Sequence, residues 1–389
     1  MSVVIFGDLF TFPDGQAATN RIYTYAKGLK ENGINVYVVC FSSNYMEQPD
    51  GTSQGIPYFH PFRQKVRNKN FFIRRLQNLA KNFNAYQVLR RINKEDRITA
   101  INGWSSLLST HLIGWFFAKL LRAKFISEIS EHPLRDYQTG FINRKRGLLR
   151  FYIESRFCDG IFCISRFLVD FHIKHGVNKR KLFLIPSTVD PSRFALNGKK
   201  PEMDSYIGYF GSLTFKRDSV DMLIKAFSVF HTRYPEVYLV LGGFCSMEMK
   251  EQINRLIDDL GLTQKVIILN YLTRDEIIKY IVHAKALVMV RSKDLESQAS
   301  YPSKLSEFLS TGKPVVTVNV GEISDYIKDG ENGYLVEPGD VEAMAEKLSM
   351  IFGDYDRAAA VGIKGKELTD TVFHYNYQAK RMIQFINAL

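Results

Sequence analysis

The sequence predicts an α/β protein made of two doubly wound, Rossmann-like parallel-sheet domains. Three observations carry this expectation. Short runs rich in Val, Ile, Leu and Phe alternate with longer amphipathic stretches, strand-helix-strand starts recur at Val3 and at Tyr206, and glycines such as Gly33 and Gly312 stand where helices should stop. The 389 residues suffice for two cores, and 46% hydrophobic against 24% charged residues describes a globular chain.

Strand Val3–Phe6, a loop to Gly15, helix Ala17–Asn32 and strand Asn35–Cys40 form the opening βαβ unit. Gly15 lacks the further glycines of a dinucleotide fingerprint, so Pro13-Asp14-Gly15 is either an ordinary tight turn or part of a ligand-facing loop. From Arg63 to Arg97, eleven basic residues meet only Glu95 and Asp96. Phe72, Leu76, Leu79, Phe83 and Tyr86 recur there at four-three spacing, flanked by Arg74, Arg75, Lys81, Arg90 and Arg91. Such a helix suits an anionic bilayer or a polyprenyl-diphosphate acceptor, which makes Arg74 and Arg75 acceptor-side candidates. The alternatives are a stripe packed on the sheet and a nucleic-acid contact, the latter without any recognisable module to support it.

Strand Ile98–Ile101, helix Leu107–Leu121 and strand Lys124–Ile129 follow, and the last ends at Glu131-His132-Pro133. An acid and a histidine at the carboxyl end of a strand are either catalytic candidates or a loop cap. The helix Phe141–Phe157 is basic and adds to the acceptor surface. Ser165 then caps another helix, and residues 191–201 form a linker. The first domain is therefore residues 1–190, and the second is 203–373. A final helix lies within 374–389.

The second domain restarts with strand Tyr206–Phe210 and a loop through Lys216, followed by helix Asp221–Tyr234 and strand Val237–Gly242 with the pair Gly242-Gly243. Strand Val266–Leu269 runs into Asn270-Tyr271-Leu272, and strand Ala286–Val290 leads to a Ser/Pro loop beginning at Ser297. Pro302 suits a first helical turn, Ser303 offers a cap, and Gly312 ends the helix before strand Pro314–Val318. Free amides there, Lys304 beside them and Glu307 one turn on make a diphosphate site with a reader of ribose hydroxyls.

The balance of 52 Lys and Arg against 40 Asp and Glu gives a net charge of +12, which favours acidic partners: nucleotide sugars, an anionic membrane or nucleic acid. Cys40, Cys158, Cys163 and Cys245 lack paired metal spacing, pointing to a reduced, cytoplasmic compartment. Residues 1–8 read as a strand, not a secretory leader. No uncharged apolar run reaches about 18 residues.

Four ordered blocks between Cys158 and Asp340 resemble the retaining GT-B glycosyltransferases of glycosyltransferase family 4. The serine-led helix and Ile185-Pro-Ser-Thr-Val-Asp190 resemble its Val-Ile-Pro-Asn-Gly-Val-Asp block. Gly211 and Lys216 match its Gly-Arg-Leu…Lys-Gly signature, with Ser212 where Arg is usual. Pro302-Ser-Lys-Leu-Ser-Glu307 resembles a Pro-x-Lys-Leu-x-Glu version of the donor segment, with Ala299 in place of the usual first Glu. The tail from Gly321 to Asp340 matches a further block.

The resemblance implies two Rossmann-like domains facing a cleft and transfer of a hexosyl-type sugar from a nucleoside diphosphate with anomeric retention. The acceptor is a glycan or lipid-linked glycan of surface polysaccharide assembly, at the inner face of the membrane. It places Gly211, Ser212, Lys216, Gly243, Tyr271, Leu272, Ser303, Lys304, Leu305 and Glu307 at the donor, Gly15 on the acceptor side, and Glu131, His132 and Lys216 as catalytic, and it implies that the final helix, 374–389, crosses back to the first domain. A cation at the missing Arg would come from Arg217, Arg291 or Lys304. Without an Asp-x-Asp pair, no metal or other cofactor is expected. A nucleotide-sugar 2-epimerase and a non-catalytic membrane-bound protein are the alternatives.

Overall fold

A computed structural model of the chain describes residues 1–15, 17–42, 49–66, 68–135, 140–195, 201, 203, 205–269 and 272–389, apart from the Arg274 side chain. The chain divides into unit 1, Met1–Thr188 with Tyr375–Leu389, and unit 2, Val189–His374.

Unit 1 begins β1 (Ser2–Gly7), α1 (Ala17–Glu31), β2 (Asn35–Cys40), β3 (Asp50–Ser53), β4 (Ile56–Phe59) and α2 (Phe71–Glu95). It continues β5 (Ile98–Trp104), α3 (Leu108–Leu120), β6 (Lys124–Ile129), α4 (Phe141–Arg156), β7 (Gly160–Cys163), α5 (Arg166–Lys174) and β8 (Leu182–Leu184). Unit 2 runs β9 (Tyr206–Phe210), α6 (Val220–His231), β10 (Tyr238–Gly242), α7 (Met247–Asp259), β11 (Val266–Leu269), α8 (Arg274–His283) and β12 (Ala286–Met289). Then come α9 (Leu295–Ala299), α10 (Ser303–Leu309), β13 (Val315–Val318), α11 (Ile323–Tyr326), β14 (Tyr334–Val336), α12 (Val341–Gly353) and α13 (Tyr355–Asp370). The last helix, α14 (Tyr375–Ala388), belongs to unit 1.

In unit 1 the strands lie in the order β3-β4-β2-β1-β5-β6-β7-β8, parallel except for the β3–β4 hairpin. That hairpin escaped the sequence reading. Its turn residues Gln54 and Gly55 both have positive φ, the backbone a two-residue hairpin requires. Both faces of the central strands are covered, so β1 is buried throughout, as its near-continuous apolar run dictates. On one face α14 lies against α1 so closely that a Cβ at Gly28 would meet Ala379. Ala379, Met382 and Ile386 of α14 join the core with Ile22, Ala26, Ile126 and Phe162.

Helix α2 departs from the simplest expectation. At about 1.5 Å per residue, its 25 residues outrun strands of six or seven residues at about 3.3 Å each. Only its second half packs, through Ala85, Val88, Leu89 and Ile92, while Phe72 is 76% exposed and Leu76, Leu79 and Phe83 are also exposed. Of the predicted stripe, only Tyr86 turns inward, its ring 5.7 Å from Phe117. The apolar stripe therefore does not pack on the sheet.

Unit 2 holds six parallel strands in the order β11-β10-β9-β12-β13-β14. Successive strands run outward from β9 in one direction and from β12 in the other. The topological switch thus falls between β9 and β12, where open α/β sheets take ligands at the carboxyl ends of the strands. The expected linker is in part a 3₁₀ turn, Pro191–Phe194, capped by Asp190. Residues 196–200 lie outside the described residues.

Candidate functional site

In unit 2 the loops after β9, β10 and β12 converge at that switch. Gly211 N–H donates to Gly242 O at 2.8 Å and Leu213 N–H to Phe244 O at 2.9 Å, which joins the first two loops. Gly243 has φ +146°, and a Cβ there would overlap Gly211 O. Gly243 is thus required by the approach of one backbone to another and Gly242 by the Phe210 ring, reasons the sequence did not reveal. Ser292 N–H donates to Arg217 O at 2.9 Å, joining the β12 loop to the β9 loop.

Lys304 lies against this junction, because a Cβ on Gly211 would collide with its Nζ. Burial lowers the Lys304 pKa, while Asp218 and Glu307 raise it and Arg291 and Arg217 lower it further. Arg291, the second residue after β12, is 7% exposed, and its Nη2 donates to Ser300 Oγ at 2.9 Å. Burial, then the neighbouring Arg217, depresses its pKa. Asp218 is engaged by Thr214 Oγ1 at 2.7 Å, and Asp294 accepts from Ser292 Oγ and Ser297 N–H. The arrangement gathers Arg217, Arg291 and Lys304 at the end of the sheet among the carboxylates of Asp218, Asp294 and Glu307, and the cations are the groups there that can donate to an anion.

Several predicted donor residues stand otherwise than expected. Pro302, not Ser303, is the N-cap of α10, and it supplies no side-chain hydrogen bond. With seven residues, α10 offers little aligned dipole, so the cations carry most of the positive potential. Leu305 is fully buried and its N–H is used by Pro302 O, so neither its side chain nor its amide can face a ligand. Ser212 is exposed, and its carbonyl accepts from Tyr209 OH. Lys216 is also exposed and does not figure among the charges acting on Lys304, whereas Arg217 does. Leu272 is half-buried beside Gly242, and Glu307 lies within electrostatic reach of Lys304. Asn270 and Tyr271 lie outside the described residues. The predicted loop at Ser297 is the short helix α9, capped by Asp294.

In unit 1, Gly15 ends the β1 loop where a Cβ would meet the hydroxyls of Thr11 and Thr19, so the turn itself requires glycine. Glu131 is ion-paired with Arg135. His132 is 6% exposed, and its ring lies 4.7 Å from Phe171 and 5.9 Å from Phe167. Its Nδ1 accepts from Leu134 N–H at 3.1 Å. Burial, then nearby His175, lowers its pKa. This is the loop-capping alternative in atomic form, and it leaves the ring inside an aromatic cluster. Arg74 and Arg75 lie over the Phe71 ring at the exposed start of α2.

Sequence reasoning missed a buried ion pair beneath the sheet. Arg21 Nε donates to Glu128 Oε1 at 3.0 Å, while Nη1 and Nη2 donate to Pro186 O and Ile185 O at 3.0 and 2.8 Å. The guanidinium lies 4.9 Å from the Tyr25 ring centre. Burial raises the Glu128 pKa, and Arg21 offsets part of that rise. An arginine within the apolar positions of helix 17–31 was the available signal. Among the described residues no group of three or more His, Cys, Asp or Glu side chains could hold a metal, and the four cysteines are free.

Residues 194–368 match the family described as glycosyl transferases group 1, and residues 18–193 match glycosyltransferase family 4. The chain belongs to glycosyltransferase family 4. Similar curated members of this family 4 group include the capsular polysaccharide biosynthesis glycosyltransferase CapM of Staphylococcus aureus, 27% identical over 43% of this chain and 42% of that protein. Another is the GDP-mannose-dependent alpha-(1-6)-phosphatidylinositol monomannoside mannosyltransferase of Mycolicibacterium smegmatis, 25% identical over 44% of this chain and 45% of its own. The match thus spans less than half the length of either relative. Among solved structures, Anabaena HepE in complex with UDP and glucose superposes at TM-score 0.73 over 100% of both chains with 16% identity. The fold is GT-B. Against the usual pattern of the glycosyltransferase family 4 donor segment, Ala299 here is wholly buried, so no carboxylate occupies that position.

Proposed function

We propose that this chain is a retaining, hexosyl-transferring enzyme that uses a nucleoside-diphosphate sugar held at the β9/β12 switch of unit 2. The observation that carries the reading is the grouping of Arg217, Arg291 and Lys304 around the Gly211 turn. A departing diphosphate gains charge as the glycosidic bond breaks, and fixed cations stabilise that charge. The diphosphate then accepts the proton of the attacking hydroxyl on the same face, and no divalent metal is needed. Glu307 reads the ribose hydroxyls.

The acceptor is a glycan or lipid-linked glycan of surface polysaccharide assembly, as the capsular and phosphatidylinositol-mannoside relatives suggest. Two helices of unit 1 support a site of action at the inner, anionic face of a membrane. The exposed Phe72, Leu76, Leu79 and Phe83 of α2 and the exposed Phe141, Ile142 and Leu149 of α4 are interspersed with Arg and Lys. No helix among the described residues is long and apolar enough to cross a membrane. Nucleic acid is not a partner in this reading.

Titration of UDP-, GDP-, ADP- and dTDP-sugars into the wild type and Glu307→Ala tests the donor assignment. Selective binding that weakens at least about tenfold in the variant, the loss of charge-assisted ribose bonds, is expected. Binding of none of the four overturns the proposal. With the selected donor and a lipid-linked acceptor, turnover in excess EDTA and an unchanged anomeric configuration in the product test metal independence and retention.

A further inference from the structure

Three histidines of unit 1 gather around the phenylalanines of α4 and α5. His132, from the loop after β6, has its ring 4.7 Å from Phe171 and 5.9 Å from Phe167, and the rings of His172 and His175 lie 5.0 and 5.5 Å from Phe151. They differ in which nitrogen is already engaged. Nδ1 of His172 and of His175 lies 2.7 and 2.8 Å from the carbonyl oxygens of Leu168 and Phe171, so in both it carries the hydrogen, and a proton can be added at Nε2 without breaking that bond. Nδ1 of His132 instead accepts from Leu134 N–H, which leaves the hydrogen on Nε2 and makes Nδ1 the atom that a further proton must enter. Protonation of His132 therefore sets two donors against each other across 3.1 Å, at a residue that is 6% exposed.

The surrounding charges do not relieve that conflict. On α5, His175 opposes a charge on His132, and His172 faces the same cluster; on the loop itself Glu131 is ion-paired with Arg135, and α4 contributes the neutral ring of Phe151. Burial, then His175, lowers the His132 pKa from the ordinary 6.5. The neutral ring thus supports the turn fully above about 6.5, and that support is lost as the pH falls through the lowered value. We propose that His132 is an acid-released latch on the turn at residues 131–135. Neutral, it lies among the Phe167 and Phe171 rings and caps Leu134 N–H. Protonated, it leaves the cluster, and of its two bonds to the turn only Arg135 N–H to His132 O remains. The turn stands at the carboxyl end of β6, the end at which parallel sheets take ligands, so release presents an imidazolium where a ligand can meet it. The latch needs no substrate and stands or falls separately from glycosyl transfer.

The test is hydrogen–deuterium exchange of the intact chain at a series of pH values from 7.5 to 5, in wild type and His132→Asn. It is read by mass spectrometry on a peptide spanning residues 130–135 and corrected for intrinsic exchange. An asparagine amide oxygen can cap the N–H two residues on as the imidazole does, and it does not titrate. In wild type, protection of that peptide should fall about thirtyfold over the range, the factor by which an open imidazole of ordinary pKa 6.5 takes up protons. In His132→Asn it should stay level. Level protection in wild type overturns the inference, and the wild-type profile decides by itself if the variant does not fold. A fall of the same size in His132→Asn also overturns it. So does an equal fall in a peptide from α5, which would mark a general loosening by acid and not a latch.

Discussion

Replacing Arg21 with methionine should destabilise unit 1 by about 4–6 kcal/mol at pH 7, and the loss should shrink as the pH falls. The side chains of Arg21 and Glu128 are 6% and 0% exposed, so water cannot take the place of a deleted partner. Left charged and alone, Glu128 would cost about 3–5 kcal/mol. It can escape by taking up a proton. From an ordinary value of 4.5, holding a carboxyl neutral at pH 7 costs about 3.4 kcal/mol at 1.36 kcal/mol per unit, which caps that part of the loss. The carbonyls of Ile185 and Pro186 also lose charged donors, adding at least about 1 kcal/mol.

The sign of the pH dependence follows. With Arg21 gone, the folded-state pKa of Glu128 rises well above the unfolded value, so the folded form binds the extra proton. Stability of the variant then increases as the pH falls from 8 towards 5, at up to about 1.4 kcal/mol per unit. In the wild type the guanidinium restrains the rise and narrows that window. Both tryptophans of the chain, Trp104 and Trp115, lie in unit 1, so their fluorescence during urea unfolding follows this unit. A difference between wild type and Arg21→Met that stays constant from pH 5.5 to 8 would refute the reasoning. So would an Arg21→Met/Glu128→Leu double variant less stable than Arg21→Met alone, since removing both charges should restore stability.

Gly243→Ala should cost unit 2 about 2–5 kcal/mol, the sum of a φ that only glycine adopts and an overlap with Gly211 O, read as a lowered calorimetric transition. Burial holds the His172 imidazole down at about 4, so its contribution is present above the unfolded value near 6.5 and lost as the pH falls from there to 4. Its full size is about 3 kcal/mol, and His172→Gln should flatten the acid limb of tryptophan-detected unfolding accordingly. Exchanging Phe72, Leu76, Leu79 and Phe83 for serine should change stability by less than about 0.5 kcal/mol each. The same exchange should abolish sedimentation with vesicles of anionic, but not zwitterionic, phospholipid; unaltered sedimentation would remove α2 from the membrane reading.

Strands whose side chains are buried on both faces were legible in the sequence, because such burial demands an apolar run that nothing else explains: β1, β2, β6 and β13 lie within a residue of their expected ends. The α2 stripe was legible as a helix and as a candidate surface, but not in how far it overhangs the sheet. Four-three spacing fixes which residues share a face, whereas the overhang depends on the length of the neighbouring strands. Lys304 and Glu307 could be located from one short segment. The other cations could not be ranked, since only the ladder order brings the β12 loop to the β9 loop and Arg291 to Arg217 and Lys304. Arg21 and Glu128, 107 positions apart, share no local pattern. Leu305 was misjudged because a matching motif does not say which of its members serve the core.

The placement of α14 has a bearing on how the polypeptide is made. Unit 2 owns one unbroken stretch, Val189–His374, and every residue it needs has been synthesised once His374 is added. Unit 1 starts first and is completed last. Until residues 375–389 leave the ribosome, the apolar face formed by Ile22, Ala26, Ile126 and Phe162 lacks its cover of Ala379, Met382 and Ile386. The nascent N-terminal sheet therefore waits, partly bare, through the translation of nearly two hundred further residues. During that interval it is a natural client for a chaperone.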